Sequence, residues 1–403
     1  MFIKNSKDKS IFKDNIFNIS SLAIKAKKEG KEIINASLGT LYNENNKLVT
    51  LNSFYKTYKD LDNITLAKYS SSFNGNLEYK NAIKDFVLEN KLTNLNIEVI
   101  ATCGGTGAIY LAIQNILENN QKIIIPDIGW SNYTLMAKEN NLIVVTYDIF
   151  NLNDLKEKIL DSLSTQNKAF IILNTPLHNP TGYTIKDEDI KELVRFLNDD
   201  CHNKEVIILN DIAYIDYSFD LKNSKNYISI LNNLNPNVLL LIAYSCSKSF
   251  TIYGMRLGAL IIANKEKHIL EYVLNAFNKS CRSIYSNVNN SAMTNIAHIL
   301  NNNKDEYLKE KEQYINLLKE RASIFIKEAR NHNLELYPYN EGFFITLKIN
   351  NNILSKYHAL LLENNIYTIM VNNGIRIALC SISLKESKIL PKKLKNILNK
   401  VKD

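Results

Sequence analysis

The sequence predicts an α/β fold with two parts: a large domain whose mostly parallel sheet is covered by helices on both faces, and a smaller α+β domain. Three observations carry this. Seven short apolar runs recur through the middle of the chain, at 97–101, 123–125, 142–145, 169–173, 206–209, 238–242 and 258–262. Their hydrophobicity is continuous rather than alternating, as expected of strands covered on both faces, and helix-length segments separate most of them. The texture then changes near residue 290, and 403 residues exceed what one hydrophobic core usually organises. We place the large domain at 45–290 and the small one at 1–44 and 291–403.

In chain order, residues 20–29 pattern as a short amphipathic helix leading to 32–36. The run 97–101 leads through a Gly-rich segment into a helical pattern over 109–117. Beyond 290 come a long charged, helix-permissive stretch over 301–329, a strand at 343–349, a helix at 355–363 and a second strand at 375–382. The Asn-rich patches 301–303 and 350–352 read as turns. No internal repeat and no linker rich in Pro, Gly or Ser interrupts the pattern.

Bulk properties exclude several classes. The net charge of +8 comes from scattered lysines, with no basic block interleaved with aromatics, so no nucleic-acid partner is expected. Five cysteines, an odd number with no Cys-x-x-Cys pair, fit reduced thiols rather than a disulfide framework. The charged start lacks the apolar core of a signal peptide, and no apolar run has the length of a transmembrane helix. The expectation is a soluble, cytoplasmic protein with no membrane partner and no metal site.

The densest chemistry lies in Ala243-Tyr-Ser-Cys-Ser-Lys-Ser-Phe-Thr-Ile-Tyr-Gly-Met-Arg-Leu-Gly258. It follows the run 238–242, so Ser245, Ser247 and Lys248 emerge at a strand's carboxyl end, where open α/β sheets bind ligands. A lysine among small hydroxylic residues, with Arg256 downstream, suits a Schiff-base amine beside a phosphate clamp, and suggests pyridoxal phosphate. Taken alone, the segment also fits a surface lysine after a strand.

Other pieces fit around that point. Cys103-Gly-Gly-Thr-Gly-Ala108 precedes a helix, where glycines let the backbone approach an anion and the helix start offers unpaired N–H groups. The alternative is a simple tight turn. The loop lacks the Walker ending and the three-glycine dinucleotide pattern. Asp211 ends the run 206–210, and a carboxylate held there is costly unless paired. At about 4 Å from a pyridinium nitrogen the attraction is on the order of 4 kcal/mol at an effective dielectric near 20. That raises the nitrogen's pKa by roughly three units, keeping the ring an electron sink. Capping of the next turn is the plainer alternative for Asp211.

Tyr214 is placed to donate to the same cofactor. Asn174-Thr-Pro-Leu-His-Asn-Pro-Thr-Gly182 offers Asn179 as a donor, with His178 either a proton shuttle or a structural histidine. Trp130, the only tryptophan, can stack on a flat ring or fill core.

Taken in order, these pieces resemble the class I aminotransferases, fold-type I pyridoxal-phosphate enzymes that include aspartate and aromatic-amino-acid members. The match runs from Gly39 to Arg376. The resemblance implies that Lys248 carries the cofactor and that Ser245, Arg256, Gly105 and Thr106 bind its phosphate. It implies Trp130 as the stacking aromatic, Asn179 as the asparagine of Asn-Pro-Thr-Gly, and Asp211 with Tyr214 as the ring partners. Tyr69 resembles a tyrosine that reaches the neighbouring subunit's phosphate, which implies a homodimer with shared sites.

On the substrate side, Arg376 resembles the α-carboxylate clamp and Gly39 its backbone neighbour, with Trp130 and Asn179 alongside. Arg282, in Cys281-Arg-Ser-Ile-Tyr-Ser-Asn287, resembles the arginine that crosses the interface to a distal carboxylate. Val288 and Asn289 stand where the family often has prolines. The implied activity is transfer of an amino group between an L-amino acid, dicarboxylic (aspartate) or aromatic, and a 2-oxo acid such as 2-oxoglutarate. A pyridoxal-phosphate C–S β-lyase and a non-catalytic binding or regulatory protein are the alternatives.

Overall fold

The computed structural model describes residues 15–402, with Phe2 and Ser10 ahead of them. Most of the charged start, and part of the segment 1–44, lie outside the described residues. After a short strand β1 (Ile34–Asn35) come β2 (Asn96–Thr102), β3 (Lys122–Pro126), β4 (Ile143–Tyr147), β5 (Lys168–Asn174), β6 (Glu205–Asp211), β7 (Val238–Ser245) and β8 (Gly258–Asn264). β2 to β8 form one sheet in the order β2-β8-β7-β6-β5-β3-β4. β8 runs antiparallel to both neighbours, and the remaining pairs are parallel. The apolar runs fall on these seven strands.

The continuous hydrophobicity has a simple cause. Along β5, Ala169, Ile171 and Leu173 join one core while Phe170 and Ile172 join another. Along β7, Leu240 and Ile242 face the first core, and Leu239, Leu241 and Ala243 the second. With both faces apolar, the period of two vanishes from the hydropathy. Every residue of β7 is buried. At about 1.5–3 kcal/mol for each large apolar side chain, this strand anchors the sheet.

Toward the carboxyl terminus, β9 (Phe344–Lys348), β10 (Ile366–Tyr367), β11 (Ile369–Val371) and β12 (Gly374–Ala378) follow. β11, β12 and β9 form an antiparallel sheet, and β10 pairs in parallel with β1. Helices Lys304–Asn331, Asn351–Glu363 and Leu384–Lys402 pack with them around a third core. No helix of the described residues is long and apolar enough to cross a membrane.

Several expected boundaries differ. The strand at 375–382 ends at Ala378 and gives way to a 3-10 turn, Leu379–Ser381, because the Cys380 carbonyl is taken by Tyr42 N at 2.9 Å and by Arg321 at 3.1 Å. The stretch 301–329 is two helices, broken at Asn303, so Asn301 and Asn302 close the helix Asn290–Asn302. Asn350 is no mere turn residue: its side chain accepts from Asn352 N at 2.9 Å and caps the helix Asn351–Glu363.

Candidate active site

The parallel register brings three strand ends side by side. Asn174 pairs with Asp211, and Asp211 with Ala243, so the carboxyl edges of β5, β6 and β7 form one ledge. Lys248 follows β7 on the four-residue helix Cys246–Ser249. β8 then returns antiparallel, pairing Gly258 with Ser245. A Cβ at Gly258 would stand 2.6 Å from both Gly104 C and Tyr244 O, so only glycine lets the Gly-rich loop lie this close. Gly104, at φ +72, would place a Cβ 2.7 Å from Arg256 Nη2, and one at Gly105 would stand 3.2 Å from Ser245 Cβ. The loop, Ser245 and Arg256 are therefore in contact. They border the first turn of the helix Gly104–Ile116, where the N–H groups of Gly105 and Thr106 lack intrahelical acceptors. Arg256 Nη1 also donates to Ser247 Oγ at 3.1 Å and Tyr253 O at 2.9 Å.

Lys248 points across this ledge to the N-terminal segment. Its Nζ donates to Gly39 O at 2.9 Å and lies 5.0 and 5.5 Å from the ring centroids of Tyr253 and Tyr214. Burial, aided by the charges of Arg376 and Arg256 and opposed by Cys380 and Asp211, brings its amine down to about 8. An amine so placed is a base near neutral pH, which suits it to nucleophilic and proton-transfer work.

Asp211 is 5% exposed. Burial raises its carboxyl, opposed by a hydrogen bond from Tyr133, the Ala213 N–H and the charge of Lys248. Tyr133 donates to Oδ2 at 2.5 Å and Ala213 N to Oδ1 at 3.1 Å. The turn-capping alternative thus holds for one oxygen, while the other takes a buried phenol. Trp130 sits edge-on to Tyr133, ring centroids 5.5 Å apart. The sequence reading missed Tyr133; its place one helical turn after Trp130, on the helix Ser131–Glu139, was the available signal.

A polar relay joins the main chain at Asp211 to Arg376. Asn174 Nδ2 donates to Asp211 O at 2.8 Å, Asn179 N to Asn174 Oδ1 at 2.8 Å, and Arg376 Nη1 to Asn179 Oδ1 at 3.3 Å. Asn174 was not singled out from sequence, although it opens the segment that contains Asn179. Arg376 Nη2 donates to Ser37 O at 2.7 Å, its guanidinium lies 4.5 Å over the Phe344 ring, and its buried Nε has no partner among the described residues. Arg376, Asn179 and Trp130 line a cavity of about 380 Å³ that Ile16 and Met370 also border. An unpaired guanidinium donor beside such a space suits a carboxylate.

Most of the sequence-predicted residues therefore converge: Gly39, Gly105, Thr106, Trp130, Asn179, Asp211, Tyr214, Ser245, Lys248, Arg256 and Arg376. Two do not join them within one chain. Tyr69 is 84% exposed, and Arg282 is exposed and donates to Ser286 of its own segment. Asn287 links these two segments, accepting from Ser70 N at 3.3 Å and donating to Ser72 O at 3.4 Å. His178 is structural: buried, bonded through Nδ1 to Thr181 Oγ1 at 2.8 Å, and pushed by burial down to about 3, it stays neutral.

Sheet order and site together define the fold-type I architecture of the aminotransferases. An aminotransferase from Anaerococcus prevotii superposes with a TM-score of 0.95 at 29% identity, covering 99% of this chain and 100% of that one. An aromatic-amino-acid aminotransferase from Burkholderia pseudomallei, solved covalently bound to pyridoxal phosphate, superposes with a TM-score of 0.79 at 19% identity over 98% and 100% of the two chains, a likeness of fold alone. The chain belongs to the aminotransferase class I and II family, whose model matches residues 31–394. It is 28% identical to the aspartate aminotransferase of Pyrococcus horikoshii over 257 residues, 60% of this chain and 58% of that protein. The chain spans about half to two thirds of the length of the first curated relatives it matches.

Proposed function

We propose that this protein is a pyridoxal-phosphate-dependent aminotransferase that moves an amino group between an L-amino acid, dicarboxylic or aromatic, and a 2-oxo acid such as 2-oxoglutarate. The observation that carries the reading is Lys248, an amine near pKa 8 set between the Gly-rich cradle and the unpaired Nε of Arg376. The cradle fits the cofactor: Gly104 and Gly105 leave open the space that side chains would fill against Arg256 and Ser245. Gly105, Thr106, Ser245 and Arg256 would hold the phosphate, Asp211 the ring nitrogen, Tyr214 and Asn179 the ring oxygen, Trp130 the ring face, and Lys248 the covalent link. When bound, pyridoxal phosphate supplies an electron sink that makes the proton on a substrate's Cα removable.

The chain's own residues do the rest. Lys248 Nζ takes up and returns the proton at Cα, a role that its lowered pKa permits at neutral pH. The Tyr133 hydrogen bond favours the ionised form of Asp211 against the burial that raises its carboxyl, and an ionised Asp211 would hold the ring nitrogen protonated. Arg376 orients the α-carboxylate through a bidentate pair, with Ser37 and Asn179 fixing its fork. Tyr69 and Arg282, exposed on segments tied by Asn287, would complete the site of a second copy in a homodimer, Arg282 meeting the distal carboxylate. The large domain at 45–290 would carry the cofactor residues and the segments 1–44 and 291–403 the substrate arginine. The five cysteines are free, which supports a reducing compartment such as the cytoplasm.

The test is a panel of amino donors with 2-oxoglutarate, run on wild type, Lys248→Ala and Arg282→Ala. The reading expects no turnover by Lys248→Ala, and loss of aspartate activity with aromatic activity retained by Arg282→Ala. Near-wild-type turnover by Lys248→Ala, or pyruvate release from cysteine or cystathionine in place of transamination, overturns it.

A further inference from the structure

Arg321, on the helix Lys304–Asn331, heads the fully buried side chains in size, and it is a cation. Its guanidinium gathers two segments. Nε and Nη2 donate to Glu44 Oε1 at 3.1 and 2.7 Å, Nη2 also to Tyr42 O at 2.9 Å, and Nη1 to the carbonyls of Cys380 and Leu379 at 3.1 and 3.4 Å. Glu44 in turn accepts from Leu384 N at 3.0 Å, at the start of the helix Leu384–Lys402, where a carboxylate is favoured by the helix dipole.

The joined segments are those on which the carboxylate pocket depends. On one, Ser37 O accepts from Arg376, Gly39 O from Lys248, and Leu41 N donates to Tyr253 Oη at 3.0 Å. On the other, β12 carries Arg376 and runs directly into Cys380, whose thiol donates to Leu38 O at 3.4 Å. Stability alone is a weak reason for burying a guanidinium, because apolar residues of similar volume often serve as well. A planar fork does something that they cannot, which is to fix the spacing of several acceptors at once.

We propose that Arg321, closed by Glu44, is a positioning residue for carboxylate binding: it clasps residues 37–44 against residues 376–381 so that Arg376 and the Ser37 and Gly39 carbonyls keep the spacing that receives an α-carboxylate. The inference rests on the reading of Arg376 under Proposed function. The cofactor residues Gly105, Ser245, Arg256 and Asp211 make no hydrogen bond to Arg321, so the two kinds of binding should separate.

Trp130 shares the cavity with Arg376 and is the only tryptophan, so its fluorescence reports 2-oxoglutarate binding to the pyridoxal-phosphate-loaded protein without an amino donor. Glu44→Ala and Arg321→Met should each weaken 2-oxoglutarate about tenfold or more, whereas Glu44→Gln, which keeps an acceptor oxygen, should stay within about threefold of wild type. Apoprotein affinity for pyridoxal phosphate, followed by the same signal, should not change in any variant. Glu44→Ala binding 2-oxoglutarate as wild type does, or losing both affinities in parallel, overturns the proposal. Glu44 is exposed, so its two variants decide the matter even if Arg321→Met does not fold. A wild type that never saturates with 2-oxoglutarate overturns the reading of Arg376 itself, and this inference with it.

Discussion

Replacing Tyr133 by Phe removes one oxygen and leaves a nearly unchanged ring against Trp130. The bond lost is 2.5 Å long, buried, and made to a carboxylate. Hydrogen bonds to charged groups contribute about 1.5–3 kcal/mol. Without that bond the charged form of Asp211 loses a partner, so its carboxyl is raised further. Burial already raises this carboxyl above its unfolded value, so the folded state binds the proton more readily than the unfolded chain. Charging Asp211 therefore costs native stability as pH rises through the folded pKa, and the variant should suffer more at pH 8 than at pH 5.

Urea unfolding of the apoprotein, followed by Trp130 fluorescence, measures both values. The expected loss is about 1.5–3 kcal/mol at pH 8 and a smaller one at pH 5. An equal loss at both pH values, or a variant as stable as wild type at pH 8, would refute the assignment of Tyr133 as a donor that favours the charged form of Asp211.

Three further outcomes are expected. In the apoprotein, trinitrobenzenesulfonate should label Lys248 at a rate that rises through about pH 8, because its neutral amine appears there; a rise only near pH 10 contradicts the placement of this amine. Arg376→Lys keeps the charge but loses the fork, so KM for amino and oxo acids should rise about tenfold to a hundredfold while pyridoxal phosphate affinity holds; an unchanged KM counts against the carboxylate role. Gly258→Ala forces its Cβ to within 2.6 Å of the Gly104 backbone, so stability should fall by an amount on the order of 1–3 kcal/mol and cofactor affinity should drop with it; a variant that binds and melts like wild type shows that the loop has room to move.

The sequence exposed the sheet because its strands are apolar on both faces, and it exposed Lys248 and Asp211 because polar residues interrupt those runs at strand ends. Tyr133 stayed hidden for the opposite reason. It lies inside a helix, where a buried phenol reads as core, and its partner is 78 positions away in the chain. Asn174 was similarly unmarked, since its bond goes to the main chain of the neighbouring strand. The end of β12 at Ala378 depends on Arg321 and Tyr42 claiming the Cys380 carbonyl, a tertiary competition that local propensity does not record. Tyr69 and Arg282 lie on the surface of the single chain, so their proposed roles are tested only by experiments on an assembly.

The pairing of β1 with β10 also sets an order of events during synthesis. Ile34 leaves the ribosome 332 residues ahead of its partner Ile366. At about 5–20 residues per second, the wait is on the order of tens of seconds. All seven strands of the central sheet lie between residues 96 and 264, so that sheet has its full complement while Ile34 and Ala36 still lack the cover of β10 and β12. A chain stalled before β12 thus holds Lys248 and Asp211 on their ledge with neither Arg376 nor a docked Ser37 opposite them. The wall that Arg376 and Ser37 form is completed only after β12 has emerged.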